Sequence, residues 1–373
     1  MSVTPVDLDD AADTTPPPVP SGPRSATWGL TWHGVRTVAA LELRQRVRST
    51  RWVVALVVWF LVVGALTLLI TGAIGTMDEE GLQRGAIAFG AVTMLVLGLG
   101  LLVTPTLTST AINGDRAAGT LATLQVTLLT PAEIAAGKLL AAWAAACAFL
   151  VASIPFLVLT LFLGDTPPTS LLGGLLLVAL LLATVCGMGL GWSALVSRTA
   201  GSTVLTFVTV AALTVFTPML FGLTLPVVTT TEDVRVYGVP PQEVTSSLME
   251  CEEFTQRSEV MHTERTWWLL GANPFVIVAD AVPATTDTAV PPSEPLGAIR
   301  EGVRDLRDGP PPVEDWCWID DASPANSTAS HNTAPVWPFG LALHVLLGAA
   351  GFVAAVRRLR VPQHHLARGT RVA

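Results

Sequence analysis

The sequence predicts an all-α integral membrane protein with six transmembrane helices, an amphipathic N-terminal elbow helix, and a large outer loop domain between spans five and six. Of 373 residues, 51% are hydrophobic and only 13% are charged, whereas soluble domains carry about 25% charged residues. The apolar residues occur in long runs without Asp, Glu, Lys or Arg, which is typical of helices in lipid. A net charge of −8 does not favour nucleic acid as a partner.

Six apolar runs account for the predicted spans, because each one reaches the roughly 20 residues that a helix needs to cross about 30 Å of hydrocarbon. The predicted spans are 52–74, 86–108, 140–163, 171–196, 203–226 and 336–356. A shorter charge-free run, 266–279, is too short for a perpendicular crossing. It is predicted to be interfacial or re-entrant.

Basic residues beside the spans predict that both termini lie in the cytoplasm, because Lys and Arg near helix ends stay on that side. Five arginines between Arg36 and Arg51 precede the first span, and five more follow the last span from Arg357 onward. The even number of spans agrees with this topology. The predicted location is the bacterial plasma membrane, with lipid around the spans, and a single Lys among 21 bases is typical of a GC-rich bacterial genome.

The segments outside the spans are predicted from composition and periodicity. The acidic, proline-rich range 1–25 is predicted to be a disordered cytoplasmic tail, and the basic range 357–373 a second cytoplasmic tail. In 26–51, apolar residues between Trp28 and Ala39 recur at helical spacing and arginines follow. This pattern predicts an amphipathic elbow helix on the inner leaflet, and the alternative is a simple extension of the first span.

The loop 227–335, between spans five and six, is rich in acids, Pro, Thr and Ser and is predicted to be an extracytoplasmic domain. That side is oxidising, so we expect a disulfide between Cys251 and Cys317, with two free thiols as the alternative. Such a bond would stabilise the fold by about 3 to 4 kcal/mol on chain-entropy grounds. The strongly apolar stretch 266–282 is expected to dip back toward the membrane.

The inner loop 110–138, between spans two and three, is the most informative part of the sequence. Its segment 115–129 is too short to cross the membrane and too poor in charge to be disordered. Residues 130–133, Thr-Pro-Ala-Glu, are a helix-start signal with the threonine as N-cap, the proline at the first helical position and the glutamate three residues after the cap. An exposed, partly apolar helix here predicts a protein partner, and a membrane-hugging connector is the alternative.

The sequence lacks the motifs of an enzyme, and we expect no catalytic residue, cofactor or metal ion. It has no H-E-x-x-H and no G-x-S-x-G, and its cysteine spacings fit no zinc site. Gly137-Lys138 matches a phosphate loop in these two residues alone, since Leu139 replaces the magnesium-binding hydroxyl. The six predicted spans contain no charged residue, which favours a machine driven from outside the bilayer over an ion-coupled carrier. His344, in the last span, is expected to be a hydrogen-bonded packing residue.

Two spans carry polar or small residues on one face. In span five, four threonines fall within roughly 80° of one another and are candidates to line a transport pathway. They are Thr203, Thr206, Thr214 and Thr217. The alternative is that each hydroxyl bonds the carbonyl four residues back in its own helix. In span four, Ala183, Gly187 and Gly191 form a ridge of small residues that permits close helix packing.

Several short motifs carry a family resemblance that extends from about residue 28 onward. They are Glu42-Leu43-Arg44 in the basic elbow helix, Gly119-Thr120-Leu121, Leu128-Leu129-Thr130-Pro131 and Gly137-Lys138-Leu139 in and after the inner loop, the glycine-rich fourth span ending near Ser193 and Ser197, and Asn273-Pro274-Phe275 before the last span. Together they resemble the permease subunit of an ATP-binding cassette transporter of the type-2 export branch. The family often has Glu-Arg or Glu-Lys with a second Glu where Asp115-Arg116 stand, and here Ala117 and Ala118 follow.

The resemblance implies an exporter that moves substrate across the plasma membrane with ATP hydrolysed by a separate cytoplasmic ATPase subunit. A second permease copy or a paralogue would complete the pathway. The resemblance also implies a coupling helix at about Asn113 to Leu129 that seats in a groove of the ATPase. The residues assigned to that contact are Asn113, Asp115, Arg116, Gly119, Thr120 and Leu121. The alternative function is a non-transporting, membrane-anchored binding protein that acts through its outer loop domain.

Overall fold

The computed structural model describes residues 27–76, 83–120, 129–164, 166–240, 251–283, 294–317 and 334–360. Within these ranges, six helices are long and apolar enough to cross a membrane, which confirms the predicted number of spans. They are Thr50–Gly75, Arg84–Ala117, Pro131–Leu161, Pro168–Leu195, Thr199–Val228 and Trp337–Arg358. The predicted tail 1–25 lies outside the described residues, as does 361–373 of the second predicted tail.

The described helices and strands are numbered here in chain order. The first half contains α1 Trp32–Val47, α2 Thr50–Gly75, α3 Arg84–Thr108, α4 Asn113–Ala117, α5 Pro131–Leu161 and α6 Pro168–Leu195. The second half contains α7 Thr199–Ala211, a π-helical turn Ala212–Phe216, α8 Thr217–Val228, β1 Thr229–Gly238, β2 Glu252–Met261, a 3-10 turn Thr263–Arg265, α9 Trp268–Gly271, α10 Pro274–Ala281, α11 Pro295–Asp308, β3 Glu314–Asp315 and α12 Trp337–Arg358. The second span combines α3, a turn and α4, and the fifth combines α7, the π-helical turn and α8.

The helical conformation is interrupted between α1 and the first span, so α1 is not a continuation of α2. Ser49 lies between the two helices in an extended conformation, with φ −83° and ψ 122°. Val38 in α1 is buried against Gly137 in α5, where a Cβ added to the glycine would lie 2.5 Å from the Cβ of Val38. Trp32, by contrast, is 72% exposed. The apolar residues that the sequence assigned to one membrane-facing stripe are therefore divided, and part of them pack against the third span.

The fourth and sixth spans, α6 and α12, lie with their backbones in contact. A Cβ added to Gly187 would lie 2.6 Å from the carbonyl oxygen of Gly348, and one added to Gly191 would lie 2.5 Å from the Cα of Gly351. The ridge of small residues predicted in span four is thus a packing surface. Its partner is the last span, about 160 residues later in the chain, which helical spacing within span four could not identify.

The fold is mostly helical, as predicted, but a three-stranded sheet that the sequence did not predict follows the fifth span. β1 continues directly from α8 and pairs antiparallel with β2, from Thr229 opposite Met261 to Gly238 opposite Glu252, while β3 adds a short parallel edge. The strands were missed because both contain several charged residues and they are not joined by a two-residue turn signal. Cys251 and Cys317 form a disulfide beside this sheet, with Cα atoms 5.9 Å apart.

The apolar stretch after β2 packs close to the start of the last span. It forms α9 and α10, and most of α10 is buried. Asp280 in α10 accepts hydrogen bonds from the backbone N–H groups of Val336, at 2.6 Å, and Trp337, at 2.8 Å. The same carboxylate pairs with Arg304 of α11 at 2.7 Å. Asp280 therefore caps the N-terminus of α12 with a negative charge, which the helix dipole favours, and holds α11 beside it.

Candidate coupling site

The described part of the predicted coupling helix lies at the end of the second span. It consists of α4 and the exposed residues 118–120, and we refer to residues 113–120 as the coupling segment. Gly119 ends α4 with a φ of 72°, in the left-handed region that favours glycine at this position of a helix C-terminus. Gly119 and Thr120 are exposed, and Asp115 and Arg116 are half-buried. Leu121 lies outside the described residues.

Asn113 anchors the start of the coupling segment inside the protein. It is 0% exposed, and its side-chain amide donates to Ser202 Oγ of α7 at 2.7 Å. Ser193 Oγ of α6 accepts from the backbone N–H groups of Ile112, at 2.9 Å, and Asn113, at 3.2 Å. Ser202 in turn donates to the carbonyl of Ser109. Its side chain thus holds α4 against spans four and five, and the ATPase contact assigned to Asn113 from the resemblance stays a prediction.

Lys138 joins the coupling segment to two other helices. Its Nζ lies 2.5 Å from Asp115 Oδ2 of α4 and 2.5 Å from Glu42 Oε1 of α1, while Lys138 itself belongs to α5. The side chain of Lys138 is 1% exposed, against 29% for Asp115 and 19% for Glu42. One buried cation thus holds two carboxylates from separate helices, in a low-dielectric setting where the loss of any member costs more than it would at the surface.

The role of Lys138 was missed in the sequence, where it counted as one more basic residue beside a span. A signal was available, since it is the one lysine among 21 bases and it stands in the Gly137-Lys138-Leu139 motif. Its two partners lie 96 and 23 residues away, so sequence spacing could not identify them. Glu42 likewise belongs to one of the short motifs, Glu42-Leu43-Arg44, but the sequence did not predict its contact with Lys138.

Glu133 connects the N-termini of α1 and α5. Its carboxylate accepts from the backbone N–H of Thr130 at 2.8 Å and from the backbone N–H of Thr31 at 2.9 Å, and it also accepts from the Thr31 hydroxyl. The Thr130 side chain accepts from the Glu133 N–H, so the predicted helix-start signal is confirmed as a capping box. Because both helices begin at this carboxylate, α1 is held to the third span at two points, Glu133 and Lys138.

The hydroxyls of the threonine stripe in span five bond within their own helix, and the role of the stripe in lining a transport pathway stays a prediction. All four hydroxyls donate to the carbonyl four residues back, which is the alternative raised from the sequence. The distances are 3.0 Å for Thr203, 2.7 Å for Thr206, 2.9 Å for Thr214 and 2.9 Å for Thr217. Thr206 and Thr217 are buried, at 0% and 8% exposure, so they do not border an open channel in this chain.

Asn273 connects the start of α10 to an irregular turn in the middle of span five. Its side-chain amide donates to the Thr214 carbonyl at 2.9 Å, within the π-helical turn, and to Thr217 Oγ1 at 3.2 Å. Its side-chain oxygen accepts from the Phe275 N–H at 2.9 Å and caps α10. A π-helical turn frees backbone carbonyls from the regular ladder and is common at functional sites. Asn273, which the sequence placed in a short motif, is therefore a joint between α10 and the fifth span.

We expect replacement of Asn273 by alanine to destabilise the fold by about 1 to 3 kcal/mol, because it leaves a buried carbonyl and hydroxyl without their donor. Thermal unfolding in detergent measures the loss. Asn273→Asp is the matched variant, since it keeps the side-chain oxygen that caps α10 and removes the amide donor. If Asn273→Asp is as stable as the natural chain, the contact with the π-helical turn contributes nothing.

His344 behaves as a packing residue in the last span. It is 1% exposed, and its Nε2 lies 3.0 Å from the carbonyl oxygen of Ala272. This contact fixes α12 against the segment that precedes α10. In the part of the chain that the structure describes, no group of three or more His, Cys, Asp or Glu could hold a metal ion.

The geometry of six spans with a coupling segment after the second one agrees with a family comparison. Residues 36–268 match the model described as ABC-2 family transporter protein, which is more than half of the chain. The chain belongs to the ABC-2 transporter family. The match begins in α1, includes the coupling segment and ends in α9. A search of curated proteins finds no match.

Family membership confirms the resemblance derived from the short motifs. This ABC-2 family protein is a multi-pass integral membrane protein with a permease role, the membrane component of an ATP-binding cassette system. Such systems in general couple a permease to an ATPase partner. The alternative of a non-transporting, membrane-anchored binding protein is not favoured by this membership.

Proposed function

We propose that this ABC-2 family protein is the permease subunit of an exporter in a bacterial plasma membrane, driven by a separate cytoplasmic ATPase. The observation that carries the proposal is that the end of the coupling segment, Ala117 to Thr120, is exposed while its start is anchored in the protein. Asn113 binds the segment to spans four and five, and Lys138 binds it to α1 and span three. A force on the exposed end therefore reaches four other helices, as a rigid-body transition requires.

The topology of the proposal has both termini and the coupling segment in the cytoplasm. Six spans put α1 and the segment between spans two and three on one side of the membrane, and the domain between spans five and six on the other. The disulfide between Cys251 and Cys317 supports an extracytoplasmic position for that domain, because disulfides persist in oxidising compartments. Arginines around α1 and after α12 support the same orientation.

A second permease copy or a paralogue completes the proposed pathway. The first and fifth spans are the least buried, with 22% of their most apolar window buried in each. Large apolar side chains such as Phe60, Leu61, Phe216 and Leu223 are exposed on them. In the assembled transporter we assign these faces to lipid and to the second half.

The coupling assignment is tested by co-expressing the full chain with a cassette ATPase that co-purifies with it and replacing Gly119 and Thr120 with valine. We expect the ATPase to be lost from the purified complex, because valine strains a left-handed position and removes a hydroxyl at the exposed end. Gly302→Val is the matched control, since it also adds a side chain at a glycine with free space, but in the outer domain. Unchanged complex formation and ATP turnover would contradict the assignment.

The topology is tested by labelling single cysteines with a membrane-impermeant maleimide in a Cys147→Ser, Cys186→Ser background. Ala118→Cys is expected to react only after the membrane is permeabilised, whereas Met261→Cys, at a position 55% exposed in the outer domain, is expected to react in intact cells. Labelling of Ala118→Cys in intact cells would place the coupling segment outside and end the proposal.

A further inference from the structure

A groove of about 680 Å³ lies between α1, α2, α3 and α5. It has two chemically different ends. The apolar end is formed by Ala55, Val58 and Val62 of α2 with Leu99, Leu102 and Val103 of α3. The polar end lies where α1 meets α2 and is formed by Glu42, Gln45, Arg46, Ser49 and Arg51.

The polar end has a net charge of +1, because Arg46, Arg51 and the adjacent Lys138 are opposed by Glu42 and Asp115. Its one carboxylate, Glu42, is paired with Lys138 at 2.5 Å. Arg46 donates to the carbonyl oxygen of Leu107 at 2.9 Å, and Arg51 is exposed. Among the described residues, neither arginine forms an ion pair within 4 Å. Burial lowers the pKa of Arg46, and the nearby Glu42 carboxylate offsets this only in part, so this guanidinium has lost hydration that an anion would replace.

The start of α2 adds to the positive potential at this end of the groove. The N-cap, Ser49, makes no side-chain capping bond, and the first turn of α2 contains no acidic residue. The backbone N–H groups of Ser49 and Trp52 bond to nearby carbonyls, so it is chiefly the positive end of the helix dipole that lies beside the two arginines. Such an arrangement suits an oxyanion such as a phosphate.

We propose that the groove binds one anionic phospholipid, with its phosphate between Arg46 and Arg51 and an acyl chain along the apolar walls. A polar, cationic end joined to an apolar channel matches an amphiphile better than it matches the apolar helix face of a second copy. A net anionic headgroup is selected because a zwitterionic lipid brings its own cation to a site that already has two. Basic pockets beside membrane helices bind anionic headgroups in this way. The proposal depends on the proposed topology only in assigning the lipid to the cytoplasmic leaflet.

The test uses the purified full chain in an uncharged detergent, titrated with phosphatidylglycerol or phosphatidylcholine of identical acyl chains. Native mass spectrometry counts bound lipid, and thermal unfolding reports its effect on stability. Phosphatidylglycerol is expected to bind more tightly and to raise the unfolding temperature. Arg51→Gln, at an exposed position, is expected to weaken phosphatidylglycerol binding about fivefold. The double variant Arg46→Gln, Arg51→Gln is expected to weaken it about thirtyfold.

Two further variants distinguish a lipid bound in the groove from diffuse attraction between anionic lipid and the basic surface of α1. Arg44→Gln is the matched control, because it removes the same charge from α1 but lies on an exposed face that does not line the groove. It is expected to leave phosphatidylglycerol binding unchanged. Ala55→Trp, which fills the apolar end and keeps both arginines, is expected to reduce binding. Coupling to the ATPase does not enter these measurements, so they can fail while the permease assignment stands.

Equal binding of the two lipids, or a loss in Arg44→Gln as large as in Arg51→Gln, would overturn the proposal in favour of diffuse charge. A rise in unfolding temperature reproduced in full by inorganic phosphate would show that the acyl chain has no part. If Ala55→Trp dissociates a dimer and leaves lipid binding unchanged, the groove belongs to a second copy and the proposal is wrong.

Discussion

Replacing Lys138 with methionine is expected to destabilise the protein by about 3 kcal/mol and to uncouple it from its ATPase. The change removes the one cation that holds Glu42 and Asp115, and leaves two carboxylates facing each other across a buried side chain. Breaking a buried ion pair costs about 3 to 5 kcal/mol, and we take the lower end because the carboxylates keep part of their hydration. Thermal unfolding of the purified chain measures the first effect, and ATP turnover of the reconstituted complex measures the second.

A variant in which all three charges are removed separates the loss of stability from the loss of coupling. In the triple variant Lys138→Met, Glu42→Gln, Asp115→Asn, no charge is left uncompensated, and most of the lost stability is expected to return. ATP turnover is expected to stay uncoupled, because α1, α4 and α5 are no longer joined by charge. If the free energy of unfolding of Lys138→Met alone stays within about 0.5 kcal/mol of that of the natural chain, the network does not stabilise the fold. If the triple variant couples normally, Lys138 does not link the coupling segment to the transmembrane helices.

Adding a methyl group at Gly187 is expected to separate the fourth and sixth spans. In Gly187→Ala the new Cβ would lie 2.6 Å from the carbonyl oxygen of Gly348, and backbone atoms cannot move aside as a flexible side chain can. Overpacking of this kind costs about 1 to 3 kcal/mol. A larger side chain such as leucine is expected to prevent the native packing of α6 on α12. Thermal unfolding in detergent, with the yield of monodisperse protein, reports both variants.

The control for this prediction lies in the same helix. Gly173, also in α6, has nothing within 4 Å of an added Cβ, so Gly173→Ala is expected to be neutral or stabilising by up to about 1 kcal/mol. If Gly187→Ala and Gly173→Ala have equal effects, the close approach of the two spans is not required for stability.

Side chains show where sequence reasoning reached its limit. The capping box at Thr130 and Glu133 is local, three residues apart, and it was predicted correctly. That Glu133 also caps α1 was invisible, because the second cap, Thr31, lies 102 residues away. The threonine stripe was recognised as one face of a helix, but helical periodicity does not say whether a face meets water, lipid or another helix.

The sequence by itself determined that this chain crosses a membrane six times and belongs with ABC-2 permeases. Both conclusions depend on local quantities, the length of charge-free runs and the order of short motifs, and lipid enforces them because an unpaired backbone or charge in hydrocarbon is costly. The tertiary structure alone decided which of these residues act together. Lys138 meets Asp115 and Glu42, and Gly187 meets Gly348, only after helices far apart in the chain have packed, and the strands of the three-stranded sheet likewise pair across separate segments. Close packing and buried charge pairing are properties of the assembled fold.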